Sequence, residues 1–171
     1  RAPCSSAGLS PRSGSSASVR TPKPRSASAA AGSSVTTRTS ATDGQATAAA
    51  VFDVNSVPIL VDVQADTYCV DPDAVEAAVT SRTRAIAVVH LYGSMADMPA
   101  IRAIAARHGL HVVEDCAHAH GAAWGDHGAG SLGDLGCFSF QSSKTLTAGE
   151  GGCVTTDNEL LAARVRSLRN C

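Results

Sequence analysis

The sequence predicts an α/β fold with a mainly parallel sheet flanked by helices. From about residue 46 onward, short apolar runs suited to strands alternate with amphipathic segments suited to helices. Two successive strand pairs are joined through a helix, which is the connection that parallel strands require. The run at residues 85–91 (AIAVVHL) is almost continuously apolar, as is typical of a strand covered on both faces.

Local signals define the helices. Asp71 is suited to cap a first helix over residues 72–80, because Pro72 fits the first helical position. Gly109 predicts the end of a second helix over residues 97–108. Strands are predicted at residues 57–63, 85–91, 110–115, 136–140 and 153–156. A last helix is predicted from Asp157 to about Arg169, with an apolar stripe formed by Leu160, Leu161, Val165 and Leu168.

The N-terminal segment has a different composition. Residues 1–50 contain twelve serines, six basic side chains and one acidic side chain, and their only sizeable aliphatic residues are Leu9, Val19 and Val35. So few apolar groups cannot offset the entropy of ordering the segment. We therefore expect residues 1–45 to be disordered, or to be translated out of frame from a GC-rich gene, and residues 46–171 to hold the domain. An organelle transit peptide and a tail that binds nucleic acid are weaker interpretations.

The remaining composition excludes several classes of protein. No apolar run approaches the roughly 18 residues of a membrane span, and no secretory signal is recognisable. The six cysteines form no C-x-x-C pair, so we expect free thiols and no metal site. The expected location is cytoplasmic, with no nucleic-acid or membrane partner.

Two charged residues lie where α/β sheets bind ligands. Asp115 ends a predicted strand, and Lys144, the only lysine outside the N-terminal segment, follows another. A lysine and a carboxylate in this arrangement suit pyridoxal phosphate, since the amine can bind its aldehyde and the carboxylate its pyridine nitrogen. From position alone, a surface lysine and a structural aspartate remain the alternative.

Histidines and glycines near these residues could indicate a zinc site or a dinucleotide-binding loop, but their spacing favours neither. His118 and His120 form an H-x-H pair, but a third zinc ligand at usual spacing is missing, so satisfied or exposed histidines are the simpler interpretation. The glycines of residues 149–152 (GEGG) precede a strand and not a helix, which does not fit a dinucleotide-binding loop.

The motifs of residues 47–171 resemble one known family. The segments HGLHVVEDCAHAHGA, GSLGDLGCFSFQSSKTLTAGEGG and RSLRN, with VPILVDV before them, resemble the DegT/DnrJ/EryC1/StrS family of sugar and cyclitol aminotransferases. The resemblance implies the large domain of a type I pyridoxal-phosphate-dependent aminotransferase. It implies transfer of an amino group from glutamate or glutamine to a cyclitol or a nucleotide-linked keto sugar, by a homodimer.

The resemblance also implies roles for individual residues. Lys144 corresponds to the Schiff-base lysine and proton carrier, and Asp115 to the partner of the pyridine nitrogen. His118 corresponds to a residue beside the cofactor ring, and Ser139 to a ligand of its phosphate. The related sugar dehydratases have histidine in place of this lysine, so Lys144 favours amino transfer.

Parts of the family pattern have no counterpart in this sequence. Nothing in residues 1–46 matches the phosphate-binding Gly-Thr contact or the aromatic residue that stacks on the ring. We also expect residues 46–171 to form only part of the large domain, without the family's small C-terminal domain. An inactive fragment, or a non-catalytic α/β remnant that retains the motifs, therefore stays open as the alternative function.

Overall fold

The structure is a computed structural model that describes residues 34–38 and 44–169. It contains eight strands and four helices within those residues. In chain order they are β1 (Ser34–Arg38), α1 (Gly44–Asp53), β2 (Val57–Ile59), α2 (Pro72–Ala78), β3 (Thr83–Val89), α3 (Met98–His108), β4 (His111–Asp115), β5 (Ala123–Trp124), β6 (His127–Gly128), β7 (Leu135–Ser139), β8 (Gly152–Thr155) and α4 (Glu159–Arg169).

Six of the strands form one sheet in the order β2-β1-β3-β4-β7-β8. The pairs from β2 to β7 are parallel, and only β8 runs antiparallel to its neighbour. β5 and β6 form a separate two-stranded ribbon. The predicted α/β class with a mainly parallel sheet is therefore confirmed.

The start of the ordered region differs from the prediction. β1 pairs with β2 on one side and with β3 on the other, and α1 begins at Gly44. The expectation of disorder throughout residues 1–45 is thus wrong for residues 34–38 and 44–45, and the rest of that prediction lies outside the described residues. The reason is that β1 is held by backbone hydrogen bonds to both neighbours, which need no run of apolar side chains.

The predicted helix caps are confirmed. The Asp71 side chain accepts a hydrogen bond from the N–H of Asp73 (3.1 Å), as predicted. Asp97, predicted as the first residue of the second helix, is instead the N-cap of α3 and accepts from the N–H of Ala100 (3.0 Å). Gly109 ends α3 in the left-handed conformation, with φ of 64°. The predicted start of the last helix, Asp157, was two residues early: α4 begins at Glu159, because Asn158 accepts from the N–H groups of Leu160 and Leu161 and so caps the helix.

The hydrophobic core lies between the sheet and the helices α2 and α3. Alternate residues of β3 and β4 face this layer, as the twofold period of a strand requires. Burial of these side chains fixes the central strands on which the candidate site is built. The fully buried members of the core are Val70, Val75, Ile86, Val88, Ala96, Met98 and Ile101.

Two elements depart from their predicted form. β2 is only three residues long because it lies at the sheet edge, where Pro58 lacks an N–H donor; Val63 instead makes an isolated bridge to Val70. None of the α4 residues is buried, and Leu160 is 82% exposed. Val165 lines a cavity of about 940 Å³ between α4 and the last two strands.

No helix within residues 44–169 combines the length and apolar character needed to cross a membrane.

Gly136 is expected to tolerate no side chain. A Cβ atom built on this β7 residue would collide with the backbone of Gly130 and with Thr155 Oγ1. We expect Gly136→Ala to lower the free energy of unfolding by about 1–3 kcal/mol, as other overpacking substitutions do. Gly128→Ala is the matched control in urea unfolding, since nothing lies within 4 Å of that position. Equal stability of the two variants would contradict the close packing of β7.

Candidate functional site

Asp115 is the last residue of β4 and lies half-buried at the carboxyl end of the sheet. One of its carboxylate oxygens, Oδ2, accepts a hydrogen bond from Thr47 Oγ1 of α1 (2.5 Å). The other, Oδ1, accepts from the N–H of Ala117 (3.1 Å). Both oxygens are therefore held, while each keeps lone-pair capacity for a further donor.

Ser139 and Lys144 lie on and after the neighbouring strand. β4 and β7 are parallel, with Asp115 opposite Cys137, so the alternation of a strand puts Ser139 on the same face as Asp115. Lys144 lies in the following loop, where its N–H donates to the carbonyl of Gln141 (2.9 Å). The lysine side chain is half-buried, and none of the ion pairs among residues 44–169 includes it. Its amine is thus not committed to a carboxylate.

His118 lies in the loop directly after Asp115. Its ring packs against the ring of Tyr92, with centroids 5.5 Å apart and planes at 36°. The carbonyl of His118 also accepts a hydrogen bond from the N–H of Gly93 (2.9 Å). The two contacts join the loop after β4 to the loop after β3. Both loops follow the carboxyl ends of their strands, as does the loop that contains Lys144.

A buried carboxylate, Glu114, organises the opposite face of β4. It accepts hydrogen bonds from His90 Nε2 (2.9 Å) and from the N–H groups of Gly130 (3.0 Å), Leu132 (2.7 Å) and Gly133 (2.5 Å). His90 Nδ1 accepts from the N–H of Ala96, so the ring is neutral and carries its proton on Nε2. Glu114 therefore ties the glycine-rich loop before β7 to the strand that carries Asp115.

The charge state of Glu114 predicts a pH dependence of stability. Burial acts to raise its pKa, but the hydrogen bonds from His90 and the loop N–H groups outweigh burial and hold the pKa below the ordinary 4.5. A depressed folded pKa contributes stability above the unfolded pKa that is lost as pH falls through the folded value. Urea unfolding should therefore show falling stability below about pH 4.5. Glu114→Gln should remove this part of the dependence, and an unchanged profile would contradict the assignment.

The described cysteines are free thiols, as the sequence predicted. Cys69, Cys116 and Cys137 are buried or half-buried, and Cys153 is exposed. Burial raises the pKa of the first three, and at Cys116 the nearby negative charges of Glu114 and Asp115 raise it further. These three thiols stay protonated and are poor nucleophiles.

Two histidine environments bear on metal binding. His90, Glu114 and Cys116 lie close enough to share an ion, but both ring nitrogens of His90 are already used in hydrogen bonds. The ring of His120 packs against those of Phe138 and Phe140, with centroids 5.7 and 6.0 Å away. Its ring nitrogens are buried and have no hydrogen-bond partner among the described residues. His118 and His120 thus have different neighbours, which does not favour a shared metal ion.

Comparison with protein families identifies the chain. A model described as the DegT/DnrJ/EryC1/StrS aminotransferase family matches residues 29–171. The chain belongs to this family. The match begins before β1, in agreement with the early start of the sheet.

Individual DegT/DnrJ/EryC1/StrS relatives have specific names. The chain is 55% identical over 124 residues to an L-glutamine:scyllo-inosose aminotransferase of Streptomyces griseus. This match covers 72% of the chain and 29% of that protein. It is 44% identical to DesV of S. venezuelae, with a TM-score of 0.75 over 81% of this chain and 37% of that one. It is 38% identical to NtdA of Bacillus subtilis, solved with bound cofactor PMP, with a TM-score of 0.68 over 76% and 29% of the two chains. The chain therefore spans less than a third of the S. griseus relative.

The four predicted site residues of this family member lie on or directly after two neighbouring strands. Asp115, His118 and Ser139 lie at the carboxyl ends of β4 and β7, and Lys144 lies in the loop beyond β7. Two interacting residues were not singled out from the sequence, namely Thr47 and Glu114. A lone hydroxyl in the alanine-rich helix α1 was the available signal for Thr47, and a carboxylate within an apolar strand was the signal for Glu114.

Proposed function

We propose that this protein is a pyridoxal-phosphate-dependent aminotransferase that moves an amino group from glutamate or glutamine to a keto cyclitol or a nucleotide-linked keto sugar. Two observations carry the proposal. Lys144, whose amine forms no ion pair among the described residues, lies in the loop after β7. The parallel neighbour of that strand, β4, ends in the carboxylate of Asp115, which two hydrogen bonds hold. Membership of an aminotransferase family supports the proposal.

The residues present fit the proposed cofactor. Asp115 has free lone pairs for a protonated pyridine nitrogen, and Lys144 has an amine that forms no ion pair among the described residues. Ser139 offers a hydroxyl, which suits a phosphate oxygen. The pyridine nitrogen, the aldehyde and the phosphate of pyridoxal phosphate thus each have a chemically suitable partner at the carboxyl ends of the strands.

Each residue has a defined task in the proposed reaction. When bound, pyridoxal phosphate supplies an electron sink for the carbanion formed at the donor's α-carbon. Asp115 keeps the ring nitrogen protonated, because a carboxylate next to that nitrogen favours its charged form. Lys144 would hold the cofactor through its aldehyde carbon, and its amine, when free, would act as the general base that takes the proton from the donor's α-carbon and returns it to the cofactor's C4′ carbon. His118, whose ring packs against Tyr92, would lie beside the cofactor ring.

The named relatives support a choice of substrates. The S. griseus relative is named for L-glutamine and scyllo-inosose, and further curated relatives are named for L-glutamine and 2-deoxy-scyllo-inosose. The identity to these proteins is 51–55%, above the 44% to DesV. We therefore propose L-glutamine as donor and a keto cyclitol as acceptor.

Isotope transfer tests this choice. The protein is incubated with pyridoxal phosphate, scyllo-inosose and L-glutamine labelled at its α-amino nitrogen, and the amino cyclitol is analysed by mass spectrometry. We expect the label in the product, with less transfer when L-glutamate is the donor. A protein that binds the cofactor and transfers no label to any keto cyclitol or keto sugar would instead be a non-catalytic remnant of the family.

A further inference from the structure

The contact between Thr47 and Asp115 joins two distant parts of the chain at the candidate site. Thr47 lies in α1 and is half-buried, and its hydroxyl reaches Oδ2 of Asp115 at 2.5 Å. Among the described residues, the Thr47 hydroxyl is the side-chain donor to the Asp115 carboxylate. The second hydrogen bond comes from the N–H of Ala117, two residues further along the same loop.

The two donors constrain the carboxylate in complementary ways. The Ala117 N–H fixes Oδ1 relative to β4, whereas Thr47 fixes Oδ2 relative to α1. With both oxygens held, rotation of the carboxylate group about its terminal torsion is restricted, although that torsion is otherwise broad. A hydroxyl that donates to a carboxylate also stabilises its charged form, which is the form needed opposite a protonated pyridine nitrogen.

We propose that Thr47 is a positioning residue for the cofactor: its hydroxyl orients Asp115 for the pyridine nitrogen. The inference rests on the proposed function, because it assigns Thr47 a task only if Asp115 binds that nitrogen. Thr47 acts through Asp115. Its loss therefore weakens binding of pyridoxal phosphate and leaves Lys144 chemically intact.

Two substitutions separate the hydroxyl from the packing of the side chain. Thr47→Val keeps the shape and removes the donor, whereas Thr47→Ser keeps the donor and removes a methyl group. A positioning role predicts that serine is better than valine, and a purely packing role predicts the reverse order. Hydrogen bonds to charged groups typically contribute enough that losing one weakens binding about tenfold or more.

The readout is covalent trapping of the cofactor. The chain contains two lysines, Lys23 and Lys144. Samples with increasing pyridoxal phosphate are reduced with borohydride, and peptide mass spectrometry measures the labelled fraction of each lysine. The measured quantity is the pyridoxal phosphate concentration at which half of Lys144 is labelled, and Lys23 is the internal reference. We expect Thr47→Val to raise this concentration about tenfold or more. Thr47→Ser should stay close to the unsubstituted chain. Thermal unfolding of each cofactor-free variant shows that it is folded, and if Thr47→Val is not, Thr47→Ala replaces it.

The outcomes distinguish this proposal from the function on which it rests. Preferential labelling of Lys144 with no effect of Thr47→Val, or an equal effect of Thr47→Ser, overturns the positioning role and leaves the proposed function standing. Equal labelling of Lys23 and Lys144 in the unsubstituted chain contradicts the proposed function, and the role of Thr47 with it.

Discussion

Replacing Lys144 by alanine is expected to abolish amino transfer. The substitution removes both the amine that binds the aldehyde carbon and the base that carries the proton, and no second lysine lies in residues 44–169. We expect transfer of the α-amino group from L-glutamine to scyllo-inosose to fall by at least about 10⁴-fold, the upper range for loss of a positioned acid–base group.

Lys23→Ala is the matched control for that loss. It removes the other lysine of the chain and should leave amino transfer unchanged, since the proposed mechanism uses Lys144 alone. Residual transfer by Lys144→Ala at a level near that of Lys23→Ala would assign the chemistry to another group and contradict the proposed role.

Replacing Glu114 by alanine is expected to cause the largest loss of stability. Four donors would lose their acceptor, of which those on His90 and Gly130 are buried and those on Leu132 and Gly133 are half-buried. Breaking a buried hydrogen-bonded charge network typically costs about 3–5 kcal/mol, a large part of the stability of a single domain. Urea unfolding at neutral pH measures the change.

Two further variants make the Glu114 result interpretable. Glu114→Gln keeps one acceptor oxygen and should lie between the alanine variant and the unsubstituted chain. Glu76→Ala removes an exposed carboxylate that pairs with Arg107 and His108, and should change stability little, because exposed ion pairs are screened by water. If Glu114→Ala is as stable as Glu76→Ala, the network does not hold the glycine-rich loop.

The parts of the fold that were predicted correctly depend on neighbours in sequence. Asp71 and Gly109 act on backbone groups within a few residues, so their roles can be read from the local pattern. β1 could not be predicted, because its residues, SVTTR, carry a single aliphatic side chain. Its place between β2 and β3 is set by backbone pairing with strands that follow later in the chain.

The candidate site likewise contains residues that a local pattern predicts and residues whose contacts come from distant parts of the chain. Asp115 and Lys144 were identified because strand ends in an α/β sheet are predictable positions. The partner of Asp115, Thr47, lies 68 residues earlier in sequence, and no local pattern announces such a contact. Glu114 likewise receives its donors from a histidine 24 residues before it and from a loop 16–19 residues after it.

The sharpest test of the proposed role of Lys144 is to find which lysine forms a bond to pyridoxal phosphate that borohydride reduces. The unsubstituted chain is mixed with pyridoxal phosphate, reduced with borohydride and digested, and the modified lysine is located by mass spectrometry. We expect modification of Lys144 well in excess of Lys23, and loss of that excess in Asp115→Ala, which removes the proposed partner of the pyridine nitrogen. Modification of the two lysines in equal amounts, or an excess at Lys144 that Asp115→Ala leaves unchanged, would contradict this expectation.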